Sequence, residues 1–152
     1  MRYVECPDIY KRHNGEKSLF LAGGITGCRD WQSELARLLS ETNLAILNPR
    51  RKFFPKDDPN IEEEQIGWEY EHLKKANAVS FWFPPETLCP ITLYELGKQS
   101  ASRKKLFLGL HIAYERIRDV EIQTRLIRSD VRIVYSLQNL SEQIREWDSW
   151  VK

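Results

Sequence analysis

The chain has 152 residues, 41% of them hydrophobic and 11% aromatic, which suits a single domain that buries roughly two-thirds of its unfolded surface and excludes a disordered chain. Lys and Arg total 23 against 22 Asp and Glu, a formal charge of +1, and so small a surplus argues against electrostatic binding of nucleic acid. No apolar run approaches the ~20 residues needed to span a bilayer. The opening MRYVECPDIYKRHNGEK lacks a signal-peptide core and carries acids that a transit peptide avoids. The expected setting is the cytoplasm, with neither nucleic acid nor membrane as a partner. Cys6, Cys28 and Cys89 are widely spaced and form no CxxC, so they read as free thiols and not as a zinc or disulfide framework.

Residues 1–17, with Pro7 and Gly15, break the pattern that follows and read as an N-terminal arm or edge segment that packs on a partner subunit. Ser18 to Ala22 (SLFLA), ended by Gly23-Gly24, is a strand buried on both faces. Asp30 to Glu41 places Trp31, Leu35, Leu38 and Leu39 at helical spacing with Asp30 as N-cap. Leu44 to Leu47 is a second strand, closed by Asn48-Pro49. A helix from about Ile61 carries Glu62, Glu63 and Glu64 in its first turn and an apolar stripe of Ile66, Tyr70, Leu73 and Ala76. Ala78 to Phe83 is the third strand, and a proline-bounded loop leads to a helix with Leu93, Leu96 and Gly97. Leu106 to Leu110, a helix over Asp119 to Ile127, a short strand over Arg132 to Tyr135 and a helix over Ser141 to Trp150 complete the chain. Buried strands alternating with helices predict a flavodoxin-like, Rossmann-like doubly wound α/β domain with five parallel strands over residues 1–152.

In such a sheet ligands bind beyond the carboxyl ends of the strands. Gly23-Gly24-Ile25-Thr26-Gly27 lets backbone approach a ligand and frees amides at the next helix N-terminus, or is only a tight turn. Arg50, Arg51 and Lys52 are a phosphate contact or a solvated basic loop. Glu69 falls on or beside the buried stripe of its helix, where it is a reactive acid or one half of a salt bridge. Glu95 follows the proline loop within two turns of a helix start, where the dipole favours the ionised form. It is either a nucleophile or, through Thr92-Leu93-Tyr94-Glu95, the closing member of a capping box. Two acids flanking one sugar carbon are what retaining glycosyl transfer requires.

The order SLFLAGGITG, DWQ, LNPRR, WEYEHLKKANAVSFWFP and PITLYELGK resembles the nucleoside 2-deoxyribosyltransferase family and its nucleotide N-hydrolase relatives over about residues 18–110, with YELG the most specific element. The resemblance implies a nucleophile at Glu95 and a second acid, usually an aspartate, at Glu69. It implies a deoxyribose and base pocket along Gly23, Gly24 and Ile25, and with these we group Thr26, Trp31, Asn48 and Thr92 as substrate-binding candidates. Trp31, Trp82 or Phe83 would wall the base or belong to the core. The expected activity exchanges nucleobases on 2-deoxyribose through a covalent glycosyl-glutamate. It needs no metal and no cofactor, and its partners are nucleosides and free nucleobases. The family also implies a homodimer or higher homo-oligomer, one subunit contributing to its neighbour's pocket.

Four positions depart from the family pattern: Glu69 is one methylene longer than the usual aspartate, and three others differ in kind. Phe20 stands where relatives carry a tyrosine, Cys89 where transferases have an aspartate and hydrolases a phosphate-holding serine, and Thr26 where hydrolases have an arginine. Two phosphate donors are thereby missing, which favours a nucleoside over a nucleotide. The alternatives are an N-glycoside hydrolase using water as acceptor and a non-catalytic nucleotide-binding module on the same scaffold.

Overall fold

The computed structural model describes residues 1–149. Its elements run β1 (Arg2–Glu5), β2 (Lys17–Gly23), α1 (Trp31–Leu38), β3 (Leu44–Asn48), α2 (Ile61–Lys75), β4 (Ala78–Phe83), α3 (Pro90–Ser100), β5 (Lys105–Leu110), α4 (Ile117–Ile127), β6 (Ile133–Val134) and α5 (Leu137–Ser149). The strands form one sheet in the order β1-β3-β2-β4-β5-β6, and every neighbouring pair is parallel. The doubly wound α/β reading holds.

A sixth strand comes from the arm. Arg2 to Glu5 pair with Ala45 to Asn48, and Val4, Cys6 and Tyr10 are buried in this chain's own core. The arm therefore packs on its own subunit. Four residues with charged ends give too short an alternation to register as a strand, and the segment is held by tertiary contacts. The Arg2 guanidinium grips the Glu16 carboxylate, with Nε to Oε1 at 2.9 Å, and the Tyr10 amide donates to His72 Nε2 at 3.1 Å.

Strand alternation sorts the core into two layers. Leu19 and Leu21 of β2 face α1 and α5, meeting Trp31, Leu35, Leu140 and Ile144. Phe20 and Ala22 face the opposite layer, where Trp68 and Leu73 of α2, Leu96 of α3 and Val120 of α4 pack. Successive strand side chains point to opposite faces, so one apolar run serves both layers.

Two helices differ from their sequence reading. On α2, Ile66 and Tyr70 are 65% and 52% exposed. The buried residues are Ile61, Trp68, His72 and Leu73, because Trp68 stacks on His72 with ring centroids 3.8 Å apart and the pair docks on the arm through Trp68 Nε1 to the Asp8 carbonyl at 2.8 Å. A buried histidine with both ring nitrogens bonded fills a place that hydropathy assigns to an aliphatic residue. The last helix begins at Leu137, four residues earlier than read, since Leu137 and Leu140 are buried; Trp150 lies outside the described residues. On α1, Asp30 caps the helix as read, accepting the Ser33 amide at 3.1 Å.

Candidate active site

The crevice of a doubly wound sheet opens where neighbouring strands send their helices to opposite faces. Here that is the β2/β4 boundary: Gly23 pairs with Trp82, the chain leaves β2 toward α1 on one face, and it leaves β4 toward α3 on the other. A cavity of about 320 Å³ sits there, floored by Phe20 and Ala22, edged by Gly23 to Thr26 and Pro49, and closed by Thr87 and Cys89 to Thr92. Glu69 and Glu95 both line it.

The two acids arrive from neighbouring helices on one sheet face. Lys98 of α3 lies over the Tyr70 ring of α2 at 4.9 Å, which keeps α2 and α3 side by side. Glu95 has no hydrogen-bond or ion-pair partner among the described residues. Burial pushes its carboxyl up to about 8, the charge of Glu69 adding to the effect and Lys98 opposing it. The ionised form expected from the helix dipole alone is outweighed by desolvation. Thr92 is no cap: α3 begins at Pro90 after Cys89, so the capping box does not form and the Thr92 side chain instead lines the cavity.

Glu69 accepts a hydrogen bond from Gln65 Nε2 at 2.8 Å and makes no salt bridge among the described residues. Burial pushes its carboxyl up as well, opposed by the Gln65 bond and by the Arg51 charge. Beyond Glu69 a second hollow of about 370 Å³ shares Ile25, Thr26, Pro49 and Glu69 with the first, and adds Arg51, Phe54, Lys56 and Gln65.

The glycine loop is held from below. Gly24 oxygen accepts Trp31 Nε1 at 2.8 Å and Gln32 Nε2 at 3.2 Å. A Cβ on Gly23 would stand 2.4 Å from both the Trp31 ring and the Trp82 carbonyl, so its missing side chain serves packing and not a ligand. Arg50 ties the loop from the side, donating to the Cys28 and Arg29 carbonyls at 3.0 Å each. Asn48 holds that arm in place, accepting from the Arg50 amide at 3.0 Å and donating to Tyr3 Oη at 2.5 Å.

Of the substrate-binding candidates, the structure brings Gly23, Gly24, Ile25, Thr26 and Thr92 to the cavity, but not Trp31 or Asn48. Trp31 is fully buried beneath the loop and Asn48 spends its amide on the loop after β3. Trp82 and Phe83 are core residues too. Sequence reasoning missed Pro49, Thr87 and Ile91, which no local pattern marks, and Gln65, whose signal was its place one turn before Glu69.

The basic residues are committed elsewhere. Arg29 pairs with Glu86 at 3.1 Å, Arg51 pairs with Glu64, and the α1 N-terminus is already capped by a carboxylate. The Cys89 thiol, pushed up to about 12 chiefly by burial, points to the Thr87 carbonyl at 3.5 Å. Among the described residues, no group of three or more His, Cys, Asp or Glu is placed to hold a metal ion, and no helix is long and apolar enough to cross a membrane.

No curated protein matches the chain significantly. The family profile described as nucleoside 2-deoxyribosyltransferase like matches residues 16–112, a span from the start of β2 through β5 that contains both carboxylates, the glycine loop and the cavity they share. With more than half of its length matched in that way, the chain belongs to the nucleoside 2-deoxyribosyltransferase-like family.

Proposed function

We propose that the protein is a retaining nucleoside 2-deoxyribosyltransferase, with Glu95 as nucleophile and Glu69 as the acid and base. The observation that carries this reading is the pair of half-buried carboxylates on α2 and α3, facing one cavity at the topological switch point with both pKa values raised. Burial and mutual repulsion favour a singly protonated pair over a doubly ionised one. In the reactive arrangement that proton is on Glu69. A Glu95 oxygen then bonds to the anomeric carbon as the C–N bond breaks, and the bond's electron pair goes to the base nitrogen, which takes the Glu69 proton. The incoming base reverses each step, returning a proton to Glu69.

The sugar fits the hollow beside Glu95, where α3 has no side-chain cap and its first-turn amides are free for a hydroxyl. The base fits the hollow beyond Glu69, against Pro49 and Phe54. Nucleosides and free nucleobases are the substrates, and a free nucleoside is preferred over its 5′-phosphate. Arg29, Arg50 and Arg51 are each paired, Cys89 holds a neutral thiol, and a phosphate buried without donors is costly.

The assembly is a homodimer or higher homo-oligomer. Ile66 and Tyr70 on α2, with Ile91 and Tyr94 on α3, are all more than half exposed beside the cavity, and a second copy would cover them. Three free thiols suit a reducing compartment such as the cytoplasm.

Incubating the protein with deoxyinosine and free adenine tests the activity. Transfer yields deoxyadenosine and hypoxanthine, and Glu95→Gln abolishes it while the folded fraction stays unchanged. Release of free deoxyribose alone would replace transfer with hydrolysis, and ligand binding without cleavage would favour the non-catalytic module. Specificity constants for deoxyadenosine higher than for its monophosphate support the nucleoside preference; the reverse order, lost in Arg50→Ala or Arg29→Ala, would favour nucleotide hydrolysis.

A further inference from the structure

Among the described residues, Gln65 is the one side chain bonded to either acid. It is half-buried on α2, one turn before Glu69, and all four of its polar contacts are made. Nε2 donates to the Pro49 carbonyl and to Glu69 Oε1, each at 2.8 Å. Oε1 accepts from Arg51 Nε at 2.7 Å and from the Cys6 thiol at 3.2 Å.

These partners fix which end of the amide faces which way. A guanidinium only donates and a carbonyl only accepts, so the oxygen of Gln65 must face Arg51 and its nitrogen must face Pro49. Its second N–H therefore always points to Glu69. Arg51 is itself held, its side chain 6% exposed and paired with Glu64.

Resting on the transferase reading, we propose that Gln65 is a positioning residue: locked by Arg51 and the Pro49 carbonyl, it grips Glu69 by Oε1 and leaves Oε2 as the oxygen that carries the proton to and from the nucleobase. With both donors committed, Gln65 has no N–H to offer a substrate, so its action passes through Glu69. The bond also favours the ionised carboxylate, which makes protonated Glu69 a stronger acid toward a departing base. The other charged or titratable groups around Glu69 are Glu95 on α3, Arg51 after β3, Cys6 after β1, Glu64 on its own helix and Lys56 across the outer hollow.

The test uses the full chain with carbon-13 in its glutamate carboxyls, Glu69 being assigned by the signal lost in Glu69→Gln. Gln65→Leu removes the donor, while Gln65→Glu keeps an oxygen for Arg51 and places no N–H on Glu69, so either variant serves if the other does not fold. Both should move the Glu69 titration to higher pH by about one unit. They should also lower kcat for deoxyadenosine ~10-fold with little change in KM, and leave 7-methyl-2′-deoxyguanosine nearly unaffected, because its cationic base departs without a proton. An unmoved Glu69 titration, or an equal kcat loss for both nucleosides, overturns the proposal. Failure of the unmutated protein to cleave either nucleoside overturns the transferase reading instead, and the titration still decides whether Gln65 governs Glu69.

Discussion

Glu69 and Glu95 line one cavity that disfavours charge, and each reports a different neighbour. Among the described residues, Lys98 alone offsets burial and the charge of Glu69 at Glu95, whereas Glu69 has a hydrogen bond and a guanidinium nearby. Charge is thus disfavoured more strongly on Glu95 than on Glu69, and under the proposed mechanism a proton moved from Glu95 to Glu69 would both free the nucleophile and load the acid. Glu69→Gln keeps the size of the side chain and cannot carry that proton. Its kcat should fall by ~100-fold or more with deoxyadenosine and much less with an activated leaving group. An equal loss with both would assign Glu69 to holding the base.

At the scale of elements, the glycine loop is a strand end clamped between two tryptophans. Gly23→Ala pushes a methyl into the Trp31 ring and the Trp82 carbonyl, and the backbone carbonyl cannot turn aside. We expect a loss of about 3 kcal/mol in urea unfolding, far more than a glycine used only for a turn would cost. Here the limit of sequence reading has a physical form. The buried strands were legible because SLFLA and AVSFWF are apolar without interruption, and both acids were legible because a carboxylate on an inner helix face is rare. The true inner face of α2 was not legible, since Trp68 and His72 are buried by contact with an arm some sixty residues away in sequence. For the same reason Trp31, an obvious aromatic wall on paper, turned out to be the floor beneath the loop.

Across the whole molecule, two groups set opposite limits on stability. Glu95 rises from an ordinary 4.5 to about 8 on folding, so its contribution is fully present below pH 4.5 and is lost as pH climbs toward 8. His72 is lowered by burial and accepts the Tyr10 amide as a neutral ring, so its contribution is present above its ordinary 6.5 and is lost as pH falls below that. Urea unfolding between pH 5 and pH 8 should show a decline with pH that Glu95→Gln abolishes, worth roughly 2 kcal/mol after solvent screening. His72→Gln should remove the opposing loss on the acid side. A Glu95→Gln profile parallel to that of the unmutated protein would mean that Glu95 is not held protonated.

The indole beneath the loop has a further consequence, an optical one. Trp31 is buried and its N–H is spent on the Gly24 carbonyl, so its emission is that of a dry, hydrogen-bonded ring. Anything that lifts Gly24 breaks that bond and lets water reach the ring. The loop over which a substrate would settle thus carries its own fluorophore, built in where an added dye would have to displace the packing it reports on.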